Sequence, residues 1–269
     1  MQKITLIQNS HSLTNFIQCE QLHAYADLCG FSVPEPKKKF ERGTLVSRIL
    51  QNYYYRKIKG KDQVVTDPLL LRNLAVKKMG VSNDEARLFM QTMIDYFDEY
   101  EDETWIPLAV EHGFSKTIYE DDKYLFVYEG RPDLIVKLDN NLIVVDHKTQ
   151  GTKYDYFPYN NQVMGYIWSV GCNTFAYNYI KFTQHDKFRR SVHSFSDAQI
   201  EQWRSDTIEQ YFRIAHAYEK HSFQHSWQCQ SRFGTCDFVQ VCTIPKVENK
   251  AWLLKTQYIQ KERRKSWNR

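Results

Sequence analysis

Apolar residues recur at helical spacing through the first third of the chain and change to the alternation of strands near its middle. Ser82-x-x-Glu85 reads as a capping box, and Leu88, Phe89, Met93, Tyr96, Phe97 and Tyr100 behind it follow helical spacing. The run Thr44-Leu45-Val46-Ser47-Arg48-Ile49-Leu50 after Gly43 suits another helix start. Lys123 to Tyr128, Asp133 to Leu138 and Leu142 to Lys148 are rich in β-branched and aromatic residues and predict three strands. Asn140-Asn141 between the last two predicts a two-residue hairpin turn, because Asn tolerates positive φ. Beyond a tyrosine-rich loop, Asn161 to Val170 predicts a helix and Phe175 to Phe182 a strand. Ser196-x-x-Gln199 caps a further helix with Ile200, Trp203, Ile208 and Phe212 on its apolar face. The order is helices, sheet, then helix, strands and helix. It predicts a mixed α/β domain with a helical insertion at about residues 45–105.

Composition narrows this picture. An apolar share of 42% and a charged share of 25% suit a globular chain that buries its core without disulfides. No apolar run approaches the ~20 residues of a membrane helix. The opening MQKITLIQNSHSLTNF lacks the apolar core and cleavage site of a signal peptide. The expectation is a cytoplasmic, intracellular protein with no membrane partner and reduced cysteines. Six cysteines in that setting point to metal or chemistry. The net charge of +4 is too small to imply a polyanion partner, but its distribution is suggestive. Lys37-Lys38-Lys39, Arg189-Arg190 and the tail Lys261, Arg263, Arg264 and Lys265 gather positive charge as phosphate-binding surfaces do. A solvated charged face is the alternative for each cluster.

The hairpin carries candidate chemistry. Side chains alternate along a strand, so Asp146 and Lys148 share one face and His147 points to the other. With Asn140-Asn141 at the tip, Asp139 faces Leu142 and Asp133 faces Lys148. Two carboxylates and one ammonium then converge on one patch of sheet. Such a pair can hold Mg²⁺ or Mn²⁺, and the ion can activate a water against a phosphate. Lys148 can orient that water or stabilise developing charge. His147 is left with a backbone carbonyl ligand at most. A surface ion-pair cluster is the bland alternative.

Gly130-Arg131-Pro132-Asp133 followed by Asp146-His147-Lys148 resembles the PD-(D/E)XK nuclease superfamily, in its RecB-like branch. Gln162-Val-Met-Gly-Tyr166 matches the branch's Gln-x-x-x-Tyr motif, and residues four apart share a helical face. The resemblance implies that Gln162 and Tyr166 position substrate beside Asp133, Asp146 and Lys148. It also implies an iron–sulfur cluster held by one early cysteine and three late ones. Cys19 and Cys229-x6-Cys236-x5-Cys242 fill those places. Four thiolates suit a [4Fe–4S] cluster or a structural Zn²⁺, and spacing alone does not choose. Cys29 and Cys172 fall outside the pattern. One family position departs. The early helix of the branch carries Gly-x-x-x-His, whereas Gly43 is followed by Ser47, and Glu111 is a candidate substitute carboxylate.

The resemblance runs from about Ser12 to Cys242 and implies a restriction-endonuclease-like core spanning residues 1–245, with the metal cluster joining the chain ends. Residues 246–269 form a basic tail, helix or flexible arm, with Trp252, Leu253, Leu254 and Tyr258 as docking residues. The implied activity is a metal-dependent DNA nuclease, an exonuclease acting on single strands or duplex ends, working with recombination or replication proteins. A DNA-binding subunit with a weak nuclease site is the alternative that Ser47 raises, and a metal-stapled protein-interaction module a third. Tyr154, Tyr156, Phe157 and Tyr159 are candidate base-stacking residues.

Overall fold

In the computed structural model, residues 3–34, 39–60, 71, 73, 76–77, 82–150, 157–183, 185–231, 234–261 and 267–268 are described. The chain divides into two compact units, each assembled from separated segments. One comprises Met1–Pro36, Ser115–Gly130 and Glu201–Arg269; the other comprises Lys37–Phe114 and Arg131–Ile200.

In chain order the elements are β1 (Ile4–Asn9), α1 (Ser10–Gln18), α2 (Glu20–His23, continued by a π turn over Ala24–Leu28), β2 (Phe31–Ser32), α3 (Lys39–Ile58) and α4 (Asn83–Glu99). Next come β3 (Ile106–Val110), β4 (Phe114–Glu120), β5 (Tyr124–Gly130), β6 (Leu134–Leu138), β7 (Asn141–Gln150), α5 (Asn161–Val170), β8 (Thr174–Lys181) and β9 (Phe188–Ser194). Finally there are α6 (Asp197–Lys220), β10 (Gln230–Ser231), β11 (Gly234–Thr235), α7 (Val239–Thr243), α8 (Val247–Gln257), β12 (Ile259–Gln260) and β13 (Trp267–Asn268).

The first unit is built on a sheet ordered β13-β1-β5-β4, with β1 and β5 parallel. The long helix α6 lays Trp203, Tyr211 and Phe212 against the sheet aromatics. Phe126 meets the rings of Tyr211 and Phe212 at 5.0 Å each. A smaller core forms from Phe238, Val241 and Leu253 with Leu22, Tyr25, Leu254 and Tyr258. The tail is therefore not a free arm in its described part. Helix α8 buries Leu253, and β12 and β13 pair with β2 and β1. Trp252 remains 62% exposed; Arg263, Arg264 and Lys265 lie outside the described residues.

The second unit holds a five-stranded sheet ordered β3-β6-β7-β8-β9, antiparallel except for the β7–β8 pair. This is the mixed α/β arrangement expected. Strands β1, β3, β4 and β9 come in addition to the four expected from the sequence. Helices α3 and α4 cover one face, burying Leu45, Val46, Phe89, Met93 and Tyr96 with Leu134, Val136, Val145 and Ala176. The capping box of α4 is formed, with Ser82 Oγ accepting from Glu85 N–H. Helix α3 begins at Lys39, before the expected start at Thr44.

The β6–β7 hairpin corrects the expected register. Leu138 pairs with Asn141, so Asp139-Asn140 forms the turn instead of Asn140-Asn141. Asp139 takes the positive φ, 52°, which a short polar side chain tolerates. Asp133 therefore falls level with Asp146, not Lys148. The correction is two residues, an even number, so the side chains keep their faces.

A second correction concerns Arg190, expected on a phosphate-binding surface. It is enclosed between the rings of Tyr100 and Trp105, at 3.8 and 3.9 Å, and ion-paired to Glu103 at 2.6 Å. Lys37 and Lys38 lie outside the described residues.

Candidate active site

Strand β7 carries Asp146 and Lys148 on one face of the sheet, and helix α5 supplies the residues above them. The helix is fixed at its start by Asn160, whose side chain accepts from the N–H groups of Gln162 and Val163. Gly171 ends it at a φ of 75°, a conformation that favours glycine. Asn160 also donates to the Tyr177 hydroxyl at 3.0 Å, tying the helix start to β8.

The side chains close a ring. Lys148 Nζ lies 2.7 Å from Asp146 Oδ2 and donates to Gln162 Oε1 at 3.3 Å. Gln162 Nε2 donates to Asp146 Oδ1 at 3.0 Å and to the Tyr166 hydroxyl at 3.4 Å. Asp133 joins from β6, its Oδ2 accepting the His147 backbone N–H at 2.7 Å. The structure thus brings Asp133, Asp146, Lys148, Gln162 and Tyr166 together.

Burial sets the electrostatics. Asp146 is 2% exposed, and burial pushes its carboxyl up to about 6 despite the pull of Lys148. Burial also lifts Asp133 to about 6, with the Glu111 charge adding to the rise. Lys148 is held above the ordinary lysine range by Asp146, which outweighs the desolvation of its ammonium. Asp146 Oδ2 accepts from the Lys148 ammonium at 2.7 Å, so the carboxylate is held by Lys148 on one oxygen and by Gln162 on the other. Two oriented carboxylates on one patch of sheet are hard oxygen donors of the kind that suit a divalent cation. Among the described residues, no three His, Cys, Asp or Glu side chains are already arrayed to hold a metal ion.

His147 points to the opposite face, as its place in the strand requires. Its ring meets Asn178 Nδ2 at 2.8 Å and stacks on Tyr54, and burial lowers it to about 4, leaving it neutral. Asn178 in turn donates to Tyr96, whose hydroxyl pairs with that of Tyr54 at 2.8 Å. This buried polar network under β7 was not read from the sequence, because its members lie far apart in the chain.

Ser47 Oγ, at the family's histidine position, donates to Glu111 Oε1 at 3.4 Å. Glu111 sits just past β3 with a φ of 48°, and its N–H donates to the Asp133 carbonyl at 3.0 Å. Its other oxygen meets Arg131 Nε at 2.9 Å. The Arg131 N–H donates to the Tyr166 hydroxyl. Gly43 lies close to β7; a Cβ there would stand 3.3 Å from Thr149 Oγ1. Among the aromatics, Phe157 is 73% exposed, while Tyr159 donates to the Gln199 carbonyl and packs on Phe195. Tyr154 and Tyr156 lie outside the described residues.

In the other unit, Cys19, Cys229, Cys236 and Cys242 line one small pocket with Leu22, His225 and Phe238. All are free thiols. Burial raises Cys236 and Cys242, and the charges of Cys19 and Cys229 raise both further. Thiolates are donors that suit a soft thiophilic centre, but the four are not arrayed to hold a metal ion among the described residues. Cys172 is buried in the other unit, and Cys29 is part-buried outside this pocket.

A family model described as the PD-(D/E)XK nuclease superfamily matches residues 10–243. Compared by sequence with curated proteins, the chain matches none. Among solved structures, a candidate exonuclease from Eubacterium rectale is similar at 13% identity and a TM-score of 0.50, covering 82% of this chain and 85% of that one. An alkaline exonuclease from Laribacter hongkongensis, LHK-Exo, is 14% identical over 69% of this chain and 98% of its own, at a TM-score of 0.31.

Proposed function

The chain belongs to the PD-(D/E)XK nuclease superfamily, and from that premise we propose that it is a DNA exonuclease of the RecB-like branch, dependent on Mg²⁺ or Mn²⁺. The observation that carries this reading is the closed ring of Asp146, Lys148 and Gln162 with Asp133 beside it. Asp133, Asp146 and the His147 backbone carbonyl would hold the ion, which when bound polarises the phosphate and activates a water. Lys148, one carboxylate away, orients that water and stabilises charge on the phosphoryl oxygens. Gln162 holds both the lysine and the carboxylate in place, and Tyr166 fixes Gln162. Single strands or duplex ends are the proposed substrate, and the activity accords with the name given to the Eubacterium rectale relative. Recombination or replication proteins are the proposed partners.

Cys19, Cys229, Cys236 and Cys242 are proposed to hold a [4Fe–4S] cluster, with structural Zn²⁺ as the alternative. Support comes from their common pocket. Bound there, either centre would supply a clip between segments near the two ends of the chain.

Asp146→Ala and Lys148→Ala are expected to abolish cleavage of end-labelled DNA while leaving the circular dichroism spectrum intact. Cleavage unchanged in both variants would remove the assignment of the site. One observation favours a second reading. Ser47 offers a hydroxyl, already engaged by Glu111, where the family has an imidazole. Tight DNA binding without turnover in Mg²⁺ or Mn²⁺ would make the protein a binding subunit, and Ser47→His would be expected to raise its cleavage.

A further inference from the structure

Arg131 stands at the mouth of the site and takes no part in the ring that holds Asp146 and Lys148. Its side chain is 67% exposed, and its guanidinium pairs with Glu111, whose side chain is only 19% exposed. The two ends of this contact differ in freedom. Glu111 is fixed by the Ser47 hydroxyl, by its own N–H on the Asp133 carbonyl, and by a left-handed backbone at φ 48°. A non-glycine residue held in that conformation is strained, and strain of this kind gathers at functional sites. The Arg131 backbone is anchored by its N–H on the Tyr166 hydroxyl, while its side chain is met by Glu111. An exposed ion pair is weak, so its guanidinium can change partner at little cost.

The formal charges say when it would. Glu111, Asp133 and Asp146 supply three negative charges against Lys148 and Arg131, leaving the cluster one negative charge in excess. A phosphate is repelled by that balance. A divalent cation held by Asp133 and Asp146 reverses it, and its charge weakens the hold of the neighbouring Glu111 on Arg131. A planar guanidinium then has one strong acceptor geometry left nearby, the two oxygens of a phosphodiester.

We propose that Arg131 is a metal-gated phosphate clamp: Glu111 holds it while the site lacks a divalent cation, and it transfers to the DNA backbone once the ion is bound. This rests on the nuclease reading above. The gate would couple the order of binding, metal first and DNA second. It would keep the site from retaining DNA that it cannot cut.

The test is binding of a fluorescein-labelled single strand, followed by anisotropy in EDTA and in Ca²⁺, with the strand's integrity checked on a gel. Arg131→Ala is expected to weaken binding roughly tenfold in Ca²⁺, to lower the salt slope there by about one, and to change little in EDTA. Glu111→Gln is expected to tighten binding in EDTA, and the double variant Glu111→Gln/Arg131→Ala to lose that gain. Equal weakening of Arg131→Ala in both conditions would make the residue a constitutive contact and overturn the gate. No weakening in either would remove it from the DNA altogether. The nuclease reading is checked separately by Lys148→Ala cleavage on the same preparation. Wild-type cleavage that needs Lys148, together with an Arg131→Ala variant that binds like wild type, would sink the clamp alone. Wild-type protein that neither binds nor cuts DNA would sink both.

Discussion

Asp146→Asn keeps the shape of a buried side chain and removes its charge, so it separates what the carboxylate does for the fold from what it does for metal. The side chain is 2% exposed, and its carboxyl is lifted from 3.8 to about 6, chiefly by burial. A carboxyl raised in this way binds its proton more tightly in the folded than in the unfolded chain. Below pH 3.8 both states hold the proton, and the ionised form costs nothing. As pH rises through 6 the folded state must give up a proton that it favours, and stability falls. Just over two pH units at ~1.36 kcal/mol each give a cost of about 3 kcal/mol above pH 6. That is an upper bound, because the asparagine amide is itself a buried polar group that must find partners. Metal-free Asp146→Asn is therefore expected to be about 1–3 kcal/mol more stable than wild type near pH 8, with the gain shrinking toward pH 4.5. Urea unfolding in EDTA at both pH values measures this; each kcal/mol also corresponds to about 2–4 °C in melting temperature. The same variant should lose cleavage, a direct exchange of function for stability. A variant 1 kcal/mol or more less stable than wild type near pH 8 would show that the Lys148 ion pair outweighs burial, and the electrostatic reasoning would be wrong.

The raised carboxyls also predict an acid limb. Metal affinity and cleavage should fall as pH drops through about 6, where Asp133 and Asp146 take up protons, and Mn²⁺ titrations at several pH values would show it. Arg190→Ala is expected to cost about 3 kcal/mol, since it takes the guanidinium from the buried Glu103 side chain, leaving Lys57 as its cation, and empties the space between Tyr100 and Trp105; a cost below about 1 kcal/mol would mean the pair is structurally idle. Cys229→Ser should lower the bound iron, or zinc, and the melting temperature together, whereas unchanged metal content would remove that cysteine from the ligand set.

Helix α5 was legible to the residue because local chemistry fixes both ends, Asn160 at the start and Gly171 at the stop. The hairpin was legible in its faces but not in its register. The turn moved by one residue, Asp139 taking the positive φ, and each strand residue changed its partner by two. Pairing by parity survived, so the patch formed by Asp133, Asp146 and Lys148 did not depend on the turn chosen. Strand β9 was hidden because its sequence, FRRSVHS, is mostly polar, and one of its arginines is buried against two aromatic rings. A pair of adjacent arginines looks like surface until the fold supplies Glu103. Strand β1 was hidden for a different reason: it is short, and its parallel partner β5 lies more than a hundred residues away. The Glu111–Arg131 contact needed both the position of β3 and an unusual backbone angle, neither of which a local pattern reports.

If Asp133, Asp146 and Lys148 form the proposed metal-dependent centre, DNA cleavage must need both the ion and Lys148. The most direct measurement incubates anaerobically purified protein with end-labelled single- and double-stranded DNA, in Mn²⁺ or in EDTA, beside Lys148→Ala. A product ladder is expected in Mn²⁺ alone and is lost in the variant, with the order of bands giving the direction of digestion. Intact DNA in Mn²⁺ with folded, metal-loaded protein, or cleavage that survives Lys148→Ala, would contradict it.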